Sequence, residues 1–430
     1  MNRALQQLTV VAVALAAATP LHAEGFRNSP AGAFGLGRAG GRIAHVDDAS
    51  AVAQNPANLT DLKAAEVQFT PSIIYIDVEF QSALGFSAKT EKPWKFLPNL
   101  FISKPIADGK AVLGLGITVP YGLSVNWDEN SPAFSGPPTF ANLRYQAPHY
   151  TELETINFNP SVAWKLSEHV SLGLGLDVMW SQLTLKQYYP WLAIGTGVEP
   201  DGNLKGKGDG VGVSGNLGIT WQVTDRQRLA LTWRLPMDVN YDGETTIDNI
   251  TGTGTAIGAT PSSSFGTTIK YPMQIALGYG FQVTKNFRIE SDVEWIQFSR
   301  FKSLDLNLGN NAALLTVLGQ PTSINQNWHD TFTAGIGGDW KFADDWTLRA
   351  GYQFYESPVP DETFSPTIPD ANQNVLTVGL RYAHGRHSVE GAYGLDFYDK
   401  RNITTAANPV FNGTYDVTVH LFSFAYRYAF

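Results

Sequence analysis

Between residues 65 and 430 the chain is a succession of runs in which apolar side chains take every second place. In 111–127, Leu113, Leu115, Ile117, Val119, Tyr121, Leu123, Val125 and Trp127 share one face, and Gly114, Gly116, Thr118, Ser124 and Asn126 share the other. Around 172–180, Leu172, Leu174, Leu176, Val178 and Trp180 alternate with Ser171, Gly173, Gly175 and Asp177. Around 328–342, Trp328, Phe332, Ile336, Trp340 and Phe342 alternate with His329, Thr331, Thr333 and Asp339. A period of two means a strand with one greasy face. Soluble sandwich strands average about 5–6 residues. These runs are longer, and strands that cross a bilayer need about 9–11 residues or more. Their second face, rich in Gly, Ser and Thr, reads as the wall of a wet lumen.

Fourteen such runs are expected: 65–80, 95–104, 111–127, 151–166, 169–188, 209–224, 227–240, 265–284, 286–300, 328–342, 345–356, 372–383, 387–399 and 414–430. Short connections (105–110, 167–168, 225–226, 285, 343–344, 384–386) alternate strictly with long ones (81–94, 128–150, 189–208, 241–264, 301–327, 357–371, 400–413). That is the pattern of an even-numbered antiparallel barrel with tight periplasmic turns and long external loops. The predicted fold is all-β, a 14-stranded transmembrane barrel with both termini on the periplasmic side. The final run, Phe422, Phe424, Tyr426, Tyr428 and Phe430, ends on an aromatic residue. In bacterial outer-membrane barrels such a strand addresses the chain to the barrel-assembly machinery.

Two runs change phase towards their external ends. In the last, Tyr415, Val417, Val419 and Leu421 are the apolar set; in the fifth, Leu183 and Leu185 replace the even positions. Either each strand carries a β-bulge, or the strands project beyond the bilayer and their lumen face turns apolar to meet a greasy ligand.

Residues 25–59 do not alternate. They are rich in Gly and Ala and close on Asn55-Pro56-Ala57. We expect residues 24–64 to form a plug, or hatch, inside a barrel of residues 65–430. Ahead of it, Arg3, the apolar run 8–18 and Leu21-His22-Ala23 have the layout of a signal peptide, 1–23. No later stretch reaches the roughly 18 apolar residues of a membrane helix. A net charge of −9 argues against a nucleic-acid surface. The absence of Cys excludes disulfides and thiolate metal sites.

Gly35, Gly37 and Gly40 spell a GxGxxG with Asp61 about 20 residues on. No strand precedes them and no βαβ unit surrounds them, so they read as backbone that must pass through a crowded space. The eight His residues show no metal-binding spacing, and Ser214 sits in a sequence that breaks the GxSxG elbow. No cofactor, metal site or enzymatic activity is expected; a surface lipase barrel and an adhesive barrel are the readings from other classes. Pro120 and Gly122 interrupt the strong third run. Pro cannot donate to a ladder and Gly weakens it, so Pro120-Tyr121-Gly122 is either a bulge or a kink that opens the wall.

The run from Gly25-Phe26 through 35–41 and 47–50 to Asn55-Pro56-Ala57 resembles the hatch of the FadL family, the outer-membrane long-chain fatty-acid transporters. The similarity continues through 97–99, 117–123, Glu154-Thr155, Gln297-Phe298 and Ser357-Pro358-Val359-Pro360. The resemblance implies passive uptake of hydrophobic compounds by a monomer lying among outer-membrane lipid and lipopolysaccharide. A groove among the loops captures ligand, and a pocket near the mature N-terminus holds it. Hatch movement then releases it sideways through a gap at the third-strand kink. By the same resemblance Pro120, Tyr121 and Gly122 form the lateral opening, Asn55, Pro56 and Ala57 seat the hatch near it, and Phe26 stands at the pocket. The family's lumenal basic side chains fall on Gln187 and His329, which alternation also turns to the lumen. That departure admits a neutral ligand, such as an aromatic hydrocarbon, beside a fatty acid.

Overall fold

The structure, a computed structural model, describes residues 25–137, 139–195, 200–311 and 323–430. The expected signal peptide, 1–23, lies outside the described residues.

Fourteen strands build the wall. They are β1 (Glu66–Phe69 and Ser72–Ser82), β2 (Trp94–Leu97 and Leu100–Ile106), β3 (Ala111–Thr118 and Leu123–Asn126), β4 (Tyr150–Lys165) and β5 (Val170–Tyr189). Next come β6 (Gly202–Thr224), β7 (Gln227–Arg234 and Met237–Ile247), β8 (Ser262–Tyr271 and Gln274–Thr284) and β9 (Phe287–Ile296). The last are β10 (Thr331–Ala343), β11 (Trp346–Tyr355), β12 (Gln373–His384), β13 (His387–Tyr398) and β14 (Gly413–Ala429). Neighbours pair antiparallel. β14 returns to β1, with Ser423 opposite Ser72 and Ala429 opposite Glu66, and so closes the sheet. Closure leaves no edge, the condition on which a sheet can stand in hydrocarbon.

The strands run in the expected places, and the two largest differences have a common cause. β6 starts at Gly202 rather than 209, and β7 continues to Ile247 rather than 240, because 204–209 pair with 242–247. Lys205, Lys207, Asp242 and Glu244 there face water on the outside, so no greasy alternation marks the extension.

Outward positions of the middle band, such as Leu113, Leu176, Leu277, Phe332 and Leu376, are exposed and apolar. Beside the short turns stand Trp164, Trp221, Phe287, Trp340, Trp346, Tyr382 and Tyr426, an aromatic girdle at a membrane interface.

Both phase changes resolve without a bulge. β14 keeps one continuous register with β13 and with β1, and β5 with β4 and β6. Tyr415, Val417, Val419 and Leu421 point inward and are buried, as is Leu183. Inward positions therefore change from polar to apolar along the barrel.

Helix α1 (Gly32–Gly37) touches β11, β12, β13 and β14, whereas the 3-10 turn Pro56–Asp61 touches β3, β4, β5 and β6. A segment that reaches opposite walls occupies the lumen. The short helix α2 (Ala51–Gln54) lies between them, against β3 and β4. Several wall glycines expected to face water instead receive this segment, whereas Gly175 makes room for Ser161 and Asn216 of the neighbouring strands. A Cβ at Gly351 would stand 2.2 Å from the Ala39 carbonyl, and one at Gly379 would stand 3.1 Å from the Gly37 Cα. At these two positions the wall residue is small because the segment's backbone lies directly on it.

Candidate ligand path

β3 breaks between Thr118 and Leu123. Thr118 lies opposite Asn157 and Leu123 opposite Leu153, so residues 119–122 face only 154–156 and β3 carries one surplus residue. On the other side, its ladder with β2 ends at Leu100 and Ile117. Among the described residues, the next pairing on that side is Thr90 with Trp127. The interior segment supplies the missing partners. Gly122 N donates to Phe26 O at 2.9 Å, Asn28 N to Pro120 O at 3.0 Å, and Asn28 Nδ2 to Val119 O at 2.9 Å. Arg27 pairs in register with Tyr121, and Thr155 Oγ1 donates to Tyr121 O at 2.5 Å. The kinked backbone is thus satisfied from inside the barrel and has lost its neighbour in the wall.

Phe26 occupies an aromatic cage. Its ring lies 5.9 Å from Tyr121, 5.6 Å from Tyr271, 6.0 Å from Phe298, 5.5 Å from Phe301 and 5.3 Å from Trp328, most of them edge to face. The Tyr121 hydroxyl accepts from Gln274 Nε2 at 2.8 Å. Phe301 has a second role, as it also lines a cavity of about 470 Å³ between the external ends of β5–β8 and the loops above them. That volume falls within the roughly 300–1,000 Å³ of ligand pockets. Leu185, Leu204, Phe265, Leu306, Ile368 and Phe411 make much of its surface apolar. Among the described residues, Glu362 is its one ionisable liner, and no Lys, Arg or His lines it. A larger groove of about 840 Å³, lined by Asp238, Lys270 and Arg300 among others, is polar and does not include the Phe26 cage.

Gln187 lines the apolar cavity and donates from Nε2 to the Tyr145 carbonyl at 2.7 Å. His329 does not, and the expected alternation fails there. β10 begins at Thr331, so residues 328–330 are not part of its pleat. Trp328, expected on the lipid face, is buried against Phe26, and His329, expected in the lumen, is exposed. Tyr271, Phe298, Phe301 and Trp328 were not expected at the pocket from sequence. Each lies at a strand end or just beyond, where a period of two no longer applies.

Asn55, Pro56 and Ala57 lie under the wall of β5 and β6. Asn55 Nδ2 donates to Ile43 O at 2.9 Å, and its Oδ1 accepts from Ala57 N at 3.0 Å. A Cβ at Gly218 would stand 2.0 Å from that Oδ1, and one at Gly173 would stand 2.4 Å from Ala57 N. This seat is separate from the β3 break, whose direct partners are residues 26–28. The two are joined through the segment itself, by Gln54 Nε2 to Ala31 O at 3.0 Å and Arg42 to Gln54 at 2.9 Å.

Charged side chains tie the lumenal segment to the wall on the β9–β13 side. Arg38 bridges Glu290 and Asp339, each at 2.5 Å; Arg349 meets Asp339 at 3.1 Å, Asp47 at 3.0 Å, and Glu390. Arg27 grips Glu294 through two bonds of 2.9 and 3.0 Å. Arg228 pairs with Asp61 at 2.6 Å, so the acid of the apparent dinucleotide motif is a structural ion-pair partner. At the external end, Gly25 N donates to Asp370 Oδ2 at 3.3 Å, and Ser357 Oγ also bonds that carboxyl. Burial pushes the Asp370 carboxyl up to about 6.

A barrel with a chain segment in its lumen and a break in one wall strand has a known counterpart. A family model described as outer membrane protein transport protein (OMPP1/FadL/TodX) matches residues 13–430. The chain belongs to this family. It is therefore an outer-membrane β-barrel of a transporter family rather than an enzyme family. The long-chain fatty acid transport protein of Escherichia coli O6:H1 is 29% identical over 412 residues, covering 87% of this chain and 86% of the relative. Outer membrane protein P1 of Haemophilus influenzae is 24% identical over 431 residues, covering 89% and 87%. Among solved structures, a Pseudomonas aeruginosa FadL homologue superposes with a TM-score of 0.79 at 22% identity, covering 95% of this chain and 100% of its own. The Pseudomonas putida toluene transporter TodX does so at 0.69 and 15%, covering 94% and 99%. These likenesses establish the fold.

Proposed function

We propose that this protein is a passive channel for hydrophobic compounds. It takes them from outside into the outer membrane through the β3 break, with residues 24–64 as the hatch and both chain ends periplasmic. Long-chain fatty acids are the first ligand class, supported by the named activity of the E. coli relative. The observation that carries the reading is Phe301, which lines the external apolar cavity and also packs on Phe26, whose backbone holds the broken strand. Ligand in the cavity is one aromatic ring away from the cage. Displacement of Phe26 would both open the cage and release Gly122. The lumenal ion pairs leave no straight greasy route, and each CH₂ gains about 0.8 kcal/mol on leaving water, so exit into lipid is downhill without energy coupling.

Among the described residues no cation lines the cavity, which favours a second ligand class, neutral hydrocarbons such as the toluene for which the transporter TodX is named. Gln187 there offers a hydrogen bond where a charge would be needed to hold a carboxylate. Uptake of radiolabelled oleate and of toluene by cells carrying the protein distinguishes the two. Gly122→Arg tests the route: a Cβ at 122 already stands 3.0 Å from Asn28 Nδ2, so the longer side chain must fill the break. Uptake should drop with the barrel still folded; undiminished uptake in Gly122→Arg would sink the β3 route.

A further inference from the structure

The wall is broken a second time, at Leu235 and Pro236 of β7. Below the break Asn216 of β6 lies opposite Arg234, and above it Asp209 lies opposite Asp242. Residues 210–215 therefore face 235–241, one residue more, and the ladder carries no register across that stretch. Leu235 N donates to Gly215 O at 2.9 Å, and Ser214 Oγ to Leu235 O at 2.9 Å. The β3 break has the same signature: a proline, one surplus residue and a lapse of pairing with a neighbour. Pro272 of β8 stands at the same height, since Met237 is opposite Tyr271 and Arg234 opposite Gln274.

Outside, this stretch lies within the apolar band. Val211 and Val213 are 59% and 62% exposed, and Leu235 is 41% exposed. One step higher the surface turns polar at Asp238, Asn240 and Asp242, which marks the outer edge of the hydrocarbon. Inside, a void of about 10 Å³ separates Pro120 and Tyr121 of the first break from Met237 and Leu235 of the second, and Met179, Tyr271 and the Arg234–Asp177 ion pair also line it. Leu235 thus faces lipid and also lines that void. Gly212 leaves room for Met237: a Cβ at 212 would stand 2.6 Å from its Sδ. Met is unbranched and has three rotatable bonds, so it vacates such a space at small cost.

We propose that the barrel has a second side port, between β6 and β7 at the outer edge of the bilayer, closed by Met237 and passable to hydrophobic ligand. The port rests on the channel reading above, and it serves the same cage through Tyr121 and Tyr271. The lapse of the β6–β7 ladder leaves a swing of the Met237 side chain as the opening motion. The chain has no Cys, so Gly212→Cys with Met237→Cys introduces a lone thiol pair whose closeness suits a disulfide. Cells carrying this pair in the Gly122→Arg background are given radiolabelled oleate or toluene, before and after dithiothreitol. The residual uptake of Gly122→Arg should vanish when the pair is oxidised and return on reduction, and Met237→Ala should raise it. Equal uptake by oxidised and reduced forms would overturn the port while leaving the channel reading standing. If the unsubstituted protein imports neither probe, the channel reading falls and the port falls with it.

Discussion

Single residues decide how tightly the lumenal segment is held. Gly218 has no side chain because Asn55 Oδ1 lies where a Cβ would be. Gly218→Ala should unseat Asn55-Pro56, with an overpacking cost of about 1–3 kcal/mol. We expect cells carrying it to become more sensitive to a large polar antibiotic such as vancomycin, while the barrel still resists SDS at room temperature. Unchanged sensitivity would mean that the seat does not control the plug. Asp370 supplies a pH effect. Its carboxyl is raised from 3.8 to about 6, chiefly by burial, so the folded protein holds that proton more tightly than the unfolded chain does. The contribution is complete below about pH 3.8 and is lost as pH rises through about 6. Asp370→Asn should flatten the dependence of barrel melting temperature on pH across that window. A slope equal to that of the parent protein would assign the effect to other groups.

At the scale of elements, β3 shows how a broken strand survives in a membrane. Its backbone groups at 119–122 find partners in residues 26–28 and in Thr155 rather than in β2. Thr155→Val keeps the shape and removes the bond to Tyr121 O. Leaving that buried acceptor unpaired costs about 1–3 kcal/mol. Amide exchange at 119–122 should speed up, with the exchange of β4 and β5 unchanged; equal protection at 119–122 would show that the lumenal segment suffices alone. The position of this break was legible beforehand, because Pro120 and Gly122 stand in an otherwise regular run. The Pro236 break was not legible, since Pro236 stands only four residues before the expected end of the run at 240, and the polar residues above it hide the strand's continuation. Trp328 and His329 were assigned to the wrong faces for a related reason: the chain is not yet a strand there, and alternation says nothing about a residue outside the pleat.

For the whole molecule, the question is what separates a plug from a folded-in loop. The ion pairs of Arg38 with Glu290 and Asp339 join the segment to β9 and β10 in a buried setting. Arg38→Ala would leave two buried carboxylates short of a partner, a change worth about 3–5 kcal/mol. Because closure of the wall depends on β1–β14 pairing rather than on these bridges, the barrel should still form. Single-channel recordings in planar bilayers should then show higher or noisier ion conductance than the parent protein. Quiet recordings would place the block elsewhere along the lumen.

The amino-acid sequence alone determined the strand count, the alternation of short and long connections and the class of the protein. All three follow from local periodicity and turn composition, which each stretch of chain carries for itself. It also marked residues 25–59 as the segment that is not wall. What it left open were choices between partners far apart in the chain. Whether the phase changes were bulges or an apolar lumen depended on register with β13, β1, β4 and β6. Which aromatic rings surround Phe26 depended on Tyr121, Tyr271, Phe298, Phe301 and Trp328 converging from four parts of the chain. Why Gly173, Gly218, Gly351 and Gly379 must be small depended on the lumenal segment that rests on them. A face pattern records that a position is small or polar; only closure of the barrel around its own N-terminal segment shows what it is small for.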